Sequence, residues 1–174
     1  MRAGLLGLVL LCFGAAVARA HDPGLSSLHL AARPGSVDVL LQFAPADAAL
    51  LVSLDTDGDG RVSRAEFEAA RPLLDALPAQ WLAVRRGDEP ITVRAMSVHF
   101  EEKENNIAFR IIIPTTPTGD WTLLFPKLIG LPPGHRQLVV AIGLDGRTAA
   151  QKMVEVSQPW LAITWPATGA GVNR

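Results

Sequence analysis

The sequence has few of the residues that support disulfide, thiol or nucleic-acid chemistry. Its 174 residues include one cysteine and no tyrosine, and the formal net charge is −1. The cysteine is Cys12, so a chain processed after Ala20 has no disulfide, thiol nucleophile or cysteine-based metal site. A slightly acidic chain without a basic stretch is a poor candidate for binding nucleic acid. After Ala20, no apolar run reaches the length of a membrane-spanning helix.

The N-terminal segment has the pattern of a signal peptide. Arg2 gives a positive start, Gly4–Val17 form an uncharged apolar stretch, and Ala18–Ala20 has the small-x-small pattern that signal peptidases cleave. We expect residues 1–20 to be removed, which leaves His21 as the mature N terminus. The mature chain is therefore expected to be periplasmic or secreted.

Short apolar runs separated by turn residues fill most of the remaining chain. This regular spacing predicts a mainly β fold, an antiparallel β-sandwich over residues 21–166, followed by a flexible tail at 167–174. The predicted strands are Leu25–Ala31, Ser36–Phe43, Trp81–Arg86, Ile91–Glu101, Ile107–Ile113, Trp121–Phe125, Arg136–Leu144, Thr148–Val156 and Trp160–Trp165.

A helical insertion is predicted at about residues 45–78. Pro45 suits the first turn of a helix, and Ala46–Leu54 continues with good helix formers. A second helical stretch runs over Ser63–Ala70. We expect a further short turn at Pro72–Leu77 to end before Pro78, because an internal proline lacks the backbone donor that a helix needs.

Residues 55–66 contain the pattern that indicates a metal site. They read Asp-Thr-Asp-Gly-Asp-Gly-Arg-Val-Ser-Arg-Ala-Glu, which fits the calcium-loop pattern D-x-[DN]-x-[DN]-G-x5-E. Ca²⁺ takes six to eight oxygen ligands, which a short loop can supply from alternating positions if a glycine permits the sharp turn. Gly60 stands at that turn. The predicted ligands are Asp55, Asp57, Asp59, Arg61 through its backbone carbonyl, Ser63 and Glu66.

The segment from about Ala46 to Ala70 resembles an EF-hand. Ser63 and Glu66 also form the S-x-x-E pattern of a capping box, which would start the second helix at the end of the loop. EF-hands usually occur in pairs, and the sequence has one such loop. The resemblance therefore implies Ca²⁺ binding with a structural role rather than a sensor. Because the sequence shows no catalytic constellation, we expect the exported domain not to be an enzyme.

The overall layout also resembles the extracytoplasmic N-terminal region of the HupE/UreJ membrane-protein family. The shared features are a signal ending in Ala-His-Asp-Pro, early strands, and an Asp-x-Asp-Gly-Asp-Gly-x-x-Ser loop followed by further strands. That family is linked to metal handling, nickel in particular. The resemblance implies an alternative function as a periplasmic metal-handling or transporter-accessory module.

Other candidate sites have less support from the sequence. No nucleophile elbow, His-Glu-x-x-His motif or phosphate-binding glycine loop is present. The four tryptophans could line a sugar-binding face, although buried packing is their commoner role. An N-terminal His21 could bind copper, but His29, His99 and His135 have no ligand-like spacing, so a solvated terminal histidine is favoured. The sequence identifies no protein partner.

Overall fold

The computed structural model describes residues 24–166, and they form a mainly β structure. The expected signal peptide, His21 and the expected tail at 167–174 lie outside this range. The strands are β1 (Leu25–Arg33), β2 (Ser36–Phe43), β3 (Ala83–Arg86), β4 (Glu89–Ile91), β5 (Arg94–Glu101), β6 (Asn106–Ile113), β7 (Gly119–Leu124), β8 (Arg136–Ile142), β9 (Thr148–Glu155) and β10 (Trp160–Trp165). The helices are α1 (Pro45–Leu51), α2 (Arg64–Ala69) and α3 (Arg71–Trp81), with a 3-10 turn at Leu128–Gly130.

The strands form two sheets. One has six strands in the order β5-β6-β2-β1-β8-β9, and the other has four in the order β10-β7-β3-β4. The predicted hairpins are confirmed: β1 pairs with β2 across the Pro34–Gly35 turn, and β8 pairs with β9 across Asp145–Gly146. Gly35 has a φ of 80°, which a glycine adopts without the steric cost of a side chain.

One strand pair corrects the expectation of a purely antiparallel arrangement. β1 and β8 run parallel, with Leu25 opposite Arg136 and Ala31 opposite Ile142. Antiparallel neighbours are favoured where a tight turn joins two strands. β1 and β8 are separated by the helices and by strands of both sheets, so no turn sets their relative direction.

The two sheets and the helices share one hydrophobic cluster. Leu28 and Leu30 on β1 and Leu41 on β2 contribute from the six-stranded sheet, and Trp121 and Ile163 contribute from the other. Buried and less buried residues alternate along β1, which places Leu28, Leu30 and Ala32 in this cluster. Burial of a large apolar side chain stabilises by roughly 1.5–3 kcal/mol, so this cluster holds the two sheets together.

The tryptophans are mostly part of that cluster. Trp81, Trp121 and Trp165 are buried, and the rings of Trp121 and Trp165 pack edge to face with centroids 5.5 Å apart. Trp160 is partly exposed. Buried packing is therefore the observed role for three of the four, and these three do not form a face for a sugar.

Two predicted boundaries are wrong. α3 continues through Pro78 to Trp81, because Leu74, Leu77 and Trp81 are buried on one face of it. That packing outweighs the backbone bond that Pro78 cannot donate. The predicted strand Ile91–Glu101 is divided between β4 in the four-stranded sheet and β5 in the six-stranded sheet.

No helix within residues 24–166 has both the length and the apolar character needed to cross a membrane.

Candidate functional site

The acidic loop lies between α1 and α2 and is attached to the core at both ends. Leu54 precedes the loop and Phe67 follows it in α2, and both side chains are buried in the hydrophobic cluster. Val62 within the loop is partly buried against the same cluster. All three apolar residues therefore pack against the core. The ends of the loop are therefore fixed while its carboxylates remain outside the core.

Three aspartates of this loop converge. One carboxylate oxygen from each of Asp55, Asp57 and Asp59 lies within 4.8 Å of the other two. Asp55 is half-buried, and Asp57 and Asp59 are exposed. None of the three makes an ion pair with a basic residue of the described chain. Like charges this close repel each other, so the arrangement favours a cation between them.

Backbone hydrogen bonds orient these carboxylates. Gly58 N–H and Gly60 N–H donate to the two oxygens of Asp55, at 2.8 and 2.9 Å. Asp59 N–H donates to Asp57 Oδ1 at 3.1 Å, and Arg61 N–H donates to Asp59 Oδ1 at 2.8 Å. The positive φ angles of Gly58 and Gly60, 76° and 78°, allow the chain to turn around Asp55.

Glu66 joins the start of the loop to the start of α2. Its Oε1 accepts from Thr56 N–H at 2.7 Å and from the Thr56 hydroxyl at 3.0 Å. Its Oε2 accepts from the N–H and the hydroxyl of Ser63, both at 2.9 Å. The bonds from Ser63 N–H and Thr56 N–H, with smaller contributions from the two hydroxyls, lower the pKa of Glu66 from 4.5 to about 2. Glu66 is therefore ionised at neutral pH.

The predicted capping box is confirmed. Ser63 Oγ accepts from Glu66 N–H at 3.2 Å, and the Glu66 side chain accepts from Ser63 N–H. In this arrangement the side chains of Ser63 and Glu66 bond to each other and to the backbone, while the three aspartates form the converging group. Arg61 is exposed, and its N–H donates to Asp59 Oδ1. The full six-residue ligand set remains a prediction.

α2 is attached to β5 of the six-stranded sheet. The rings of Phe67 and Phe100 stack with centroids 5.6 Å apart. Arg64 Nε donates to Glu102 Oε1 at 2.9 Å, and its guanidinium lies 5.7 Å from the centre of the Phe100 ring. The exposed ion pair contributes little. The aromatic stacking is the stronger link between the loop and the sheet.

A second polar cluster lies in the interior, and sequence reasoning missed it. Asp47 is 4% exposed and His135 is 2% exposed. Both oxygens of Asp47 accept from Gly24 N–H, at 3.2 and 3.0 Å, and Asp47 Oδ1 lies 3.8 Å from His135 Nδ1. His135 Nε2 is 3.0 Å from the hydroxyl of Ser26, which is also buried. No local motif contains these residues, because the β1–β8 pairing brings Ser26 to His135 and the bond from Gly24 brings Asp47 of α1 to the start of β1.

A cavity of about 510 Å³ opens next to this cluster. Its lining includes His135, Ile129, Leu131 and Val156, together with the charged residues Arg136 and Glu155. The cavity therefore borders the part of the interior that holds His135, whose side chain is itself buried.

Comparison with known proteins gives no family assignment. No protein-family model matches the sequence, and no curated protein is significantly similar to it. The resemblances to the EF-hand and to the HupE/UreJ family therefore remain predictions.

Proposed function

We propose that residues 55–66 bind a single Ca²⁺ ion as an EF-hand inserted in an exported, non-catalytic β-sandwich. The observation that supports this most directly is the convergence of three aspartate oxygens within 4.8 Å. Two oxygens that bind one Ca²⁺ at ~2.3–2.6 Å can be at most about 5 Å apart. The observed spacing therefore suits one ion, with little movement of the aspartates.

The remaining proposed ligands complete the site when the loop closes on the ion. Arg61 contributes its backbone carbonyl, and Ser63 contributes its hydroxyl or a bound water. Glu66 is ionised at neutral pH and lies at the end of the loop, where it can exchange its bonds to Thr56 and Ser63 for the ion. This exchange replaces hydrogen bonds between the two ends of the loop by a shared cation.

The proposed role of the ion is structural. The loop connects two short helices, and its apolar flanking residues Leu54 and Phe67 are in the core. An ion that binds only the folded loop also stabilises the packing of those residues, because anything that binds the native state alone shifts the folding equilibrium. In the proposed exported location, this would help a domain that has no disulfide.

Calorimetric titration of the mature chain with Ca²⁺ tests this function. We expect one Ca²⁺ site, with much weaker binding of Mg²⁺, and we expect Asp55→Asn to abolish the binding heat. Asp145→Asn is the matched control, because Asp145 also accepts a backbone bond in a glycine-containing turn, from Arg147 N–H at 3.0 Å. Absence of Ca²⁺ heat up to several millimolar, or equal binding by the Asp55 variant, would overturn the proposal.

A second candidate function is metal handling of the HupE/UreJ type. The observation that favours it is the buried pair of Asp47 and His135, because a carboxylate and an imidazole are ligands for transition metals. Addition of Ni²⁺ and Cu²⁺ to the same titration separates the two functions, since Asp55→Asn would leave transition-metal binding unchanged.

A further inference from the structure

We propose that the cavity next to His135 binds a free α-amino acid that has an apolar side chain. Its lining comes from two parts of the chain, within residues 129–136 and within residues 155–157. Arg136 binds the α-carboxylate of the ligand, Glu155 binds its α-ammonium group, and the apolar lining contacts its side chain. The inference goes beyond calcium binding and does not depend on it, because none of these residues belongs to the acidic loop.

The size and the lining of the cavity suit a small molecule with an apolar part. Its volume of about 510 Å³ is within the range of small-molecule sites, ~300–1,000 Å³. Leu131 is 4% exposed and Ile129 is 73% exposed, so the apolar lining extends from the core to the surface. Pro133 and Val156 add to it. An apolar side chain bound here would cover the exposed part of Ile129, and burial of apolar surface favours binding.

Backbone hydrogen bonds fix both walls of the cavity. His135 N–H donates to the carbonyl of Pro132 at 3.0 Å, and Gly134 between them has a φ of 93°. These are features of a type II turn, which favours proline at its second position and glycine at its third, where Pro133 and Gly134 stand. On the other wall, the carbonyl of Glu155 accepts a bond at 3.0 Å from the N–H three positions later. A preformed site loses little conformational freedom on binding.

Two opposite charges stand side by side at this cavity. Arg136 and Glu155 are opposite each other in the β8–β9 register, and both are exposed and belong to the lining. Residues directly opposite on antiparallel strands have Cβ atoms about 4.5–5.5 Å apart. Within residues 24–166, neither of the two takes part in an ion pair. An exposed pair between them would stabilise little, so both charges are available to a ligand.

This pair of charges selects an α-amino acid. The ammonium and carboxylate groups of such a ligand are bonded to one carbon, so they match both the signs and the short separation of Glu155 and Arg136. Hydrogen bonds between ionised groups are stronger than neutral ones, and a guanidinium can bind a carboxylate through two parallel bonds. An uncharged apolar molecule would use neither side chain, and a simple anion would place its charge next to Glu155. Each further residue of an extended peptide moves its termini roughly 3.3–3.6 Å apart, so a free amino acid fits best.

Calorimetric titration with amino acids and their blocked forms tests the class of ligand. We expect L-leucine and L-phenylalanine to bind at one site, and glycine, which lacks an apolar side chain, to bind at least about tenfold more weakly. N-acetyl-L-leucine lacks the ammonium charge and L-leucinamide lacks the carboxylate, so each should lose at least about tenfold in affinity relative to L-leucine. Absence of L-leucine and L-phenylalanine binding up to tens of millimolar would overturn the proposal, as would equal binding of the two blocked forms.

Substitutions at exposed positions test the site without removing a residue of the core. We expect Arg136→Gln and Glu155→Gln each to weaken L-leucine binding at least about tenfold, since each removes one charge that the ligand contacts. Arg110→Gln is the matched control, because Arg110 is an exposed arginine of the same sheet, on β6, and is outside the cavity lining. Asp55→Asn should also leave L-leucine binding unchanged, which separates this site from the acidic loop. Equal affinity in Arg136→Gln and Arg110→Gln would overturn the site.

A second measurement locates the ligand on the protein. In a methyl-labelled chain, we expect unlabelled L-leucine to shift the NMR signals of Ile129 and Val156, which line the cavity, and to leave that of Ile112 on β6 unchanged. Ile129→Ser should weaken binding several-fold, because an apolar contact is lost. Leu144→Ser is its control, since Leu144 is 41% exposed and is outside the lining. Shifts confined to other methyl groups, or equal affinity in Ile129→Ser and Leu144→Ser, would overturn the site.

Discussion

At the scale of single residues, Gln137 is the clearest source of instability. It lies on the core-facing side of β8, opposite Ser26 of β1, and is 0% exposed. Neither its amide nitrogen nor its amide oxygen has a hydrogen-bond partner among the described residues. A buried polar group without a partner costs about 1–3 kcal/mol. Removal of this buried amide should therefore raise the stability of the domain.

We predict that Gln137→Met raises the free energy of unfolding by about 1–2 kcal/mol, because methionine has a similar length and no amide to desolvate. Urea unfolding followed by tryptophan fluorescence measures this change. Gln42→Met is the matched control and should not stabilise, because Gln42 accepts a bond from Ser27 Oγ at 3.3 Å. A lower stability of Gln137→Met would contradict the prediction and would mean that the amide has a partner in solution.

The sequence predicts which polar side chains lie close together only where they belong to one short segment. Asp55, Asp57 and Asp59 stand at alternating positions of one short loop, so their convergence follows from spacing alone. Ser26 and His135 are 109 positions apart and meet only because β1 and β8 pair in the sheet. No pattern within one segment contains that information.

At the scale of elements, α2 is short and depends on how it begins. It has six residues, and its capping box satisfies backbone donors at its N terminus. An isolated helix of this length is unstable in water, so caps and tertiary contacts must hold it. The contacts of Phe67 with the core and with Phe100 supply the tertiary part.

We predict that Ser63→Ala lowers the free energy of unfolding by about 1 kcal/mol in calcium-free buffer, because the N-cap hydroxyl is lost. Urea unfolding in the presence of a calcium chelator measures the change. Ser53→Ala is the control, since Ser53 is exposed and precedes the loop. Equal stability of Ser63→Ala and the parent chain would show that the cap does not stabilise α2.

The predicted element boundaries are wrong where tertiary packing outweighs the local preference of the sequence. Pro78 is an ordinary helix breaker by sequence, yet Leu77 and Trp81 on either side of it are buried, and α3 continues. The run from Ile91 to Glu101 has no turn signal, yet β4 and β5 belong to different sheets. In both places the decisive contacts come from residues distant in the sequence.

At the scale of the whole molecule, the six-stranded sheet joins an early hairpin of the described chain to a late one. The β1–β2 hairpin comes first in sequence and the β8–β9 hairpin comes late, and the parallel β1–β8 pair connects them. The helices between β2 and β3 pack on the cluster that both sheets share. Local stabilisation of the acidic loop should therefore be transmitted to the unfolding of the entire domain.

We predict that Ca²⁺ raises the melting temperature of the whole domain in a single transition. At a free concentration ten times the dissociation constant, the ion adds about 1.4 kcal/mol, which corresponds to roughly 3–6 °C for a domain of this size. Circular dichroism reports on the sheets, and the fluorescence of the buried tryptophans reports on the shared cluster. Both should shift together, because Leu54 and Phe67 connect the loop to that cluster.

Asp55→Asn should abolish the shift, and Asp145→Asn should retain it. Two separate transitions, with only one of them sensitive to Ca²⁺, would mean that the helical insertion unfolds independently of the sheets. A shift of equal size in Asp55→Asn would mean that the ion acts at another site. A single Ca²⁺-dependent transition would instead make the loop a structural part of the β domain, since only a cooperative core can carry its effect to β10.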